Sequence, residues 1–215
     1  MRAKLQLRPD LLLLLSLLLV IVLNPAMDHA GWRRPVLAAL TFMPVIFSTV
    51  RLSQIRVWMW PSVLLMLGSL ILLVASNIFR SQVLSGIRWG FLAAFFALAA
   101  VGLFSYLRHS RSITYSHLFT AISIYLLLGM LWAAIYCAMD AFYPGSIQLG
   151  GHTTDRQSEL LYFSLITLST IGYGDIVPVS GETRMLAALE GVTGVLYIAI
   201  TVAILVSRFR SEISD

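Results

Sequence analysis

Charge is scarce in this chain. Asp, Glu, Lys and Arg make up 12% of its 215 residues, while 59% are hydrophobic. Soluble domains carry about twice that share of charge, so the composition excludes an ordinary globular protein and indicates a polytopic membrane protein. Cysteine is almost absent. Cys137 stands alone inside an apolar run, which rules out an intrachain disulfide and leaves no thiolate set for a metal. The four histidines, His29, His109, His117 and His152, are dispersed without ligand spacing and read as loop or interfacial residues. The formal net charge is +5, yet the basic residues are scattered and no nucleic-acid motif accompanies them. Nucleic acid is therefore not an expected partner; the expected use of that charge is to flank membrane spans.

Long apolar runs are what the chain has in abundance, and six are legible. The first, residues 11–27, follows a basic start with Arg2, Lys4 and Arg8 and contains Asn24-Pro25 near its end. As a helix at 1.5 Å per residue it covers roughly 25 Å, enough for a thin or locally pinched bilayer. A basic start before leucines also resembles a secretory signal peptide, but Asp28 stands where a small residue is needed, so the run is read as retained. The second is residues 35–50, with Pro44 expected to kink it. The third is residues 58–79, opening on the interfacial aromatics Trp58 and Trp60. Residues 89–107, 118–139 and 185–206 complete the set.

The expected fold is all-α: six transmembrane helices, with a re-entrant helix and loop between the fifth and sixth. With the amino terminus inside, Arg2, Lys4, Arg8, Arg51, Arg56, Arg108, Arg111, Arg208 and Arg210 fall on the inner side. Arg33, Arg34, Arg80, Arg88, Arg156 and Arg184 fall outside. That balance, nine against six, expects both termini to be cytoplasmic. The expected location is a plasma or inner membrane.

Between the fifth and sixth runs lies Thr167-Leu168-Ser169-Thr170-Ile171-Gly172-Tyr173-Gly174-Asp175. Gly172 and Gly174 alternate with bulkier residues, and glycine alone takes positive φ without steric cost. Alternating the sign of φ along a short extended segment can turn successive carbonyls to one side. Such a row, met by rows from other subunits, can replace the water shell of a dehydrated cation. Thr170 would complete the row at its inner end, and Asp175 would mark the outer mouth. The stretch from Thr170 to Asp175 resembles the potassium-channel selectivity filter, T-x-G-Y-G-D. At average residue usages of roughly 5%, five fixed residues match by chance about once in several million positions.

The resemblance implies K+ held by the carbonyls of Ile171, Gly172 and Tyr173 and by Thr170, with Gly174 completing the segment. It implies passive conduction, so neither an enzyme nor a cofactor beyond the permeant ion. One filter segment per chain implies a homotetramer in a lipid bilayer. Residues 111–215 are then the pore domain. Tyr125-Leu126-Leu127-Leu128-Gly129 resembles a segment of prokaryotic members, and residues 142–155 read as the turret loop. Thr154 or Asp155 is the expected cap of a re-entrant helix that carries Glu159 in its first turn and ends near Leu168. Tyr162 and Phe163 stand where the family has an aromatic cuff around the filter. The Tyr162 hydroxyl is a candidate brace for Asp175, with Thr167 at the base of the loop. Arg184 and Gly194 occupy the family's positions for a basic residue opening the inner helix and for a hinge glycine, which serves bending or close packing. Glu190 lies four residues before Gly194 on the same face. Inserting an acid there costs roughly 2.5–3.5 kcal/mol, so it is expected to face protein or water, bonding to the base of the re-entrant helix or adding charge near the cavity.

The chain departs from the family in several places. Ile166 stands where some relatives have an acid, and Thr201-Val202-Ala203 where voltage-gated relatives have a proline pair. A voltage sensor needs several arginines in one span, each worth about 2.3 kcal/mol per 100 mV. Residues 89–107 contain none, and Arg88 and Arg108 read as snorkelling anchors. Residues 1–110 are thus a four-span membrane domain without sensor arginines. Because Asp215 follows soon after Arg208, no ligand-binding cytoplasmic domain is expected, and gating by a ligand would need an unidentified partner. The expected function is a potassium-selective channel; the alternative is a non-conducting or regulatory membrane subunit of one. A transporter with four degenerate filter loops in one chain fits less well, given a single intact motif.

Overall fold

Helices make up nearly all the regular structure in the computed structural model, which describes residues 9–24, 56–109, 115–150 and 155–214. In chain order these are α1 (Pro9–Leu23), α2 (Arg56–Phe79), α3 (Gln82–His109), α4 (Tyr115–Phe142), α5 (Arg156–Leu168) and α6 (Gly181–Ser214). Two short strands, β1 (Ile147–Gln148) and β2 (Val177–Pro178), flank α5. Four helices hold stretches long and apolar enough to cross a membrane: Trp60–Phe79, Gln82–Arg108, Ser116–Phe142 and Gly181–Ser207. In place of six full spans, the described residues therefore show four, with a shorter apolar helix before them. The expected second run, residues 35–50 with Pro44, lies outside the described residues, as do Met1 to Arg8 and Thr154.

α1 is a leucine run with Pro9 at its start and Asp10 in its first turn, and it stops just before Asn24-Pro25. Its 15 residues cover about 22 Å, less than the expected run. α2 and α3 are joined by a tight turn in which Arg80 takes a left-handed φ of 47°. Ser81 then caps α3, its Oγ accepting from the Leu84 N–H at 3.4 Å. This start, seven residues before Trp89, puts Arg88 inside the helix rather than at its edge. Its guanidinium lies 4.2 Å from the centroid of the Trp89 ring, where the ring face offsets part of the cost of an unhydrated charge.

The larger core takes Leu13 and Leu17 from α1, Phe95 and Leu103 from α3, Leu127 from α4 and Leu161 from α5. In a bilayer such contacts hold helices by close packing and hydrogen bonding rather than by withdrawal from water. A second cluster, Tyr136, Cys137, Ile147, Leu160, Phe163 and Ile176, joins α4, β1, α5 and the return from α5. β1 and β2 pair antiparallel, Ile147 opposite Pro178 and Gln148 opposite Val177. The Ser146 carbonyl gathers this region, accepting from Val179 N–H at 2.9 Å, Ser180 N–H at 3.2 Å and the Thr183 hydroxyl at 2.9 Å. Ser180 also caps α6 through Thr183 N–H. The chain entering and the chain leaving α5 are thus tied together at one point.

Candidate functional site

α5 is the element around which the site is built. Asp155 is its N-cap, extended at φ −98° and ψ 100°, with its side chain accepting from Gln157 N–H. Thirteen residues make a helix of about 20 Å, too short to cross a bilayer. Such a helix persists at membrane depth when it is sheathed in protein, and Leu160, Leu161, Phe163, Ser164, Ile166 and Leu168 are all buried.

Its carboxyl end has a defined geometry. Ser169 is the C-cap, and Thr170 follows in the left-handed region at φ 60°. Thr170 N–H donates to the Thr167 carbonyl at 3.0 Å and Ile171 N–H to the Ile166 carbonyl at 2.8 Å. This is the paired closure that glycine usually provides. Threonine there costs about 1–2 kcal/mol, so surrounding contacts must hold it.

From Thr170 the backbone alternates. Positive φ recurs at Thr170, Gly172 (52°) and Gly174 (82°), every second residue, with Ile171 and Tyr173 between them outside that region. The whole stretch from Thr170 to Asp175 is exposed on the single chain, Ile171 by 54% and Tyr173 by 70%. Ile176 is buried and anchors the return. The Tyr162 hydroxyl donates to Asp175 Oδ2 at 2.9 Å. Phe163 turns the other way and packs edge-on against Tyr136, with ring centroids 5.0 Å apart.

α6 packs against the carboxyl end of α5. It is continuous through Gly194, and a Cβ built there would overlap the carbonyl of Leu168 at the end of α5. Glu190 is fully buried and faces α4 and α5. Tyr136 Oη donates to its Oε2 at 2.6 Å, and Ser164 Oγ lies 2.5 Å from its Oε1. The same Ser164 Oγ lies 2.7 Å from the Gly129 carbonyl oxygen, within the Tyr125–Gly129 segment singled out above. Of these partners the sequence signals only Glu190, by its depth in an apolar run; nothing marks Tyr136 or Ser164. Two further bonds tie α4 to its neighbours. Tyr197 Oη donates to the Ala121 carbonyl at 2.5 Å. Arg156 pairs with Asp140 through two of its nitrogens, Nε donating to Oδ2 at 2.8 Å, and that bonding raises the already high Arg156 pKa.

A short buried helix thus delivers an exposed loop of alternating backbone that ends in the carboxylate of Asp175. An ion channel family model matches residues 113–211, just under half of the chain, spanning α4, α5 and most of α6. Two pore potassium channel a of Oryza sativa subsp. japonica is 38% identical over 80 residues, which are 37% of this chain and 20% of that protein. Two-pore potassium channel 1 of Arabidopsis thaliana is 34% identical over 71 residues, 32% of this chain and 20% of the relative. The inward rectifier potassium channel Kirbac3.1 of Paramagnetospirillum magnetotacticum is 29% identical over 90 residues, 40% of this chain and 27% of the relative. The match therefore spans about a fifth of the plant proteins and little more of the bacterial one. No solved structure matches the chain at the same level.

Proposed function

We propose that residues 113–211, which match an ion channel family model and share distant similarity with two-pore and other potassium channels, are a pore domain, and that the chain is a subunit of a potassium-selective channel, four copies surrounding one pore. The observation that carries the reading is the recurrence of positive φ at Thr170, Gly172 and Gly174 in an exposed loop that starts where α5 ends. In this reading the alternation turns the carbonyls of Ile171, Gly172 and Tyr173 toward one side, and the Thr170 hydroxyl completes the row. K+ exchanges its hydration oxygens for them, and repulsion between successive ions drives exit. The carboxyl end of α5 adds a partial negative charge beneath the ion. A single chain supplies oxygens from one direction only, which is why partner copies are required. Their contact also covers Ile171 and Tyr173, whose exposure would otherwise leave an apolar patch at the pore.

In this reading α1 and residues 35–50 are the first two of six spans, and both termini are cytoplasmic in a plasma or inner membrane. Residues 1–110 form a four-span domain without an arginine ladder, and residues 111–215 form the pore domain. Asp155, Asp175 and Glu182 raise the cation concentration at the outer mouth. Purified protein in liposomes tests the proposal: K+ flux should exceed Na+ flux, be blocked by Ba2+, and vanish in Gly172→Ala and Tyr173→Ala. A folded, assembled protein that passes no K+ over a range of voltage and pH would overturn it in favour of a regulatory subunit.

A further inference from the structure

Where α4, α5 and α6 meet, a carboxyl group is buried among oxygens. Glu190 is completely shielded, as are Tyr136 and Ser164 beside it. The charged and titratable groups around it are accounted for. From α4, Tyr136 bonds to it directly, Tyr125 lies within electrostatic reach, and Asp140 pairs with Arg156. On α5, Arg156 takes Asp140, Tyr162 takes Asp175, and Glu159 lies more than a turn nearer the helix start. On α6 itself, Tyr197 turns to the Ala121 carbonyl, and Glu182 and Arg184 sit at the far beginning of the helix. Arg88 of α3 is stacked on Trp89. Among the described residues, no Lys, Arg or His pairs with Glu190 to hold it ionised.

The hydrogens can be counted. Three oxygen–oxygen contacts, Tyr136 to Glu190, Ser164 to Glu190 and Ser164 to Gly129, lie at 2.5–2.7 Å, and each needs a hydrogen between its atoms. The Tyr136 and Ser164 hydroxyls supply one each, and the Gly129 carbonyl supplies none. The third hydrogen has one place left, on the Glu190 carboxyl. With a proton on Oε1, Glu190 donates to Ser164 Oγ, Ser164 donates to the Gly129 carbonyl, and Tyr136 donates to Oε2. Every contact is then made. Without that proton Ser164 has one hydrogen for two acceptors, and an unpaired charge remains buried, the state that burial opposes most.

We propose that Glu190 carries a proton in this structure and acts as a positioning residue, its carboxyl clamping α4 and α6 onto Ser164 of α5. Loss of the proton releases Ser164 from either Glu190 or Gly129 and loosens the helix that carries the conducting loop. The link to conduction rests on the channel reading above; the proton itself does not.

The experiment uses the full chain in liposomes and three readouts. Infrared spectroscopy should show a protonated-carboxyl stretch at neutral pH that disappears as pH rises and is missing in Glu190→Gln. The amide of that variant can donate to Ser164 and accept from Tyr136, so it mimics the protonated form. A proton kept by the folded chain and released by the unfolded one stabilises less as pH rises, so thermal stability should fall with pH in the wild type and stay level in Glu190→Gln. K+ flux should fall beyond the same midpoint by up to about tenfold per pH unit, and not in the variant. Ser164→Ala is the second variant, for use if Glu190→Gln does not assemble; it keeps the carboxyl, removes its acceptor and should shift the infrared band. A missing band, a band unmoved in Ser164→Ala, or an equal pH dependence in Glu190→Gln overturns the proposal. If no chain conducts at any pH, the channel reading fails while the band and the stability profile still decide this one.

Discussion

Tyr162 and Asp175 close a ring of chain. The tyrosine lies on the second turn of α5, the aspartate ends the exposed loop, and their bond at 2.9 Å fixes the far end of the loop to the helix that begins it. Both side chains are exposed on the single chain, so water can replace either partner and the bond contributes modestly, about 0.5–1.5 kcal/mol. Its value is geometric. Tyr162→Phe and Asp175→Asn should each lower the K+-dependent thermal stability of the assembled protein. The double variant should lose less than the sum, by that same amount. Additive losses would mean that the bond does not position the loop.

Gly194 and Gly191 should respond oppositely to alanine. At Gly194 the added methyl would meet the Leu168 carbonyl, part of a backbone that cannot rotate away, so α6 must retreat from α5. Overpacking of this kind costs about 1–3 kcal/mol. At Gly191 the methyl would stand 3.9 Å from the Thr167 carbonyl oxygen, an ordinary contact, and the helix gains up to about 1 kcal/mol in propensity. Thermal unfolding of the two variants side by side is the measurement, and equal effects would show that close packing is not what requires Gly194.

The start of α5 was legible because Asp155 precedes an apolar stretch with Glu159 in its first turn, a local signal. The loop was legible because its two glycines alternate with bulkier residues. The upstream start of α3 was not, because Arg88 reads as the flank of an apolar span, whereas the mixed turns from Gln82 to Arg88, which include Val83, Leu84 and Ile87, continue the same helix. The bonds from Tyr136 and Ser164 to Glu190 were not either. They join residues 54 and 26 positions apart across three helices, and no local pattern encodes such a meeting.

Thr170 separates strain from chemistry. Its left-handed backbone suits glycine, while its hydroxyl is the group proposed to face the ion. Thr170→Gly should relieve about 1–2 kcal/mol of backbone strain and still lose conduction with the hydroxyl. Thr170→Ala should lose conduction and keep the strain, and Thr170→Ser should keep both the strain and most of the flux. Unfolding temperature and K+ flux measured on all three give two independent rankings. If flux instead followed stability across the set, the hydroxyl would have no role beyond folding.

The Arg156–Asp140 pair should be energetically lopsided. Arg156 is 53% exposed and Asp140 only 14%. Removing the carboxylate in Asp140→Asn leaves a guanidinium that water already reaches, and losing a pair of that kind costs about 0–1 kcal/mol. Removing the cation in Arg156→Gln leaves a mostly buried carboxylate at the end of α4 without its charged partner, a loss of about 1–3 kcal/mol. Arg156→Lys should fall nearer to Gln than to Arg, because an ammonium cannot reproduce the two-nitrogen contact with both Asp140 oxygens. Thermal unfolding of the three variants at low salt tests the order, and a larger loss in Asp140→Asn than in Arg156→Gln would show that burial of the carboxylate does not set the cost.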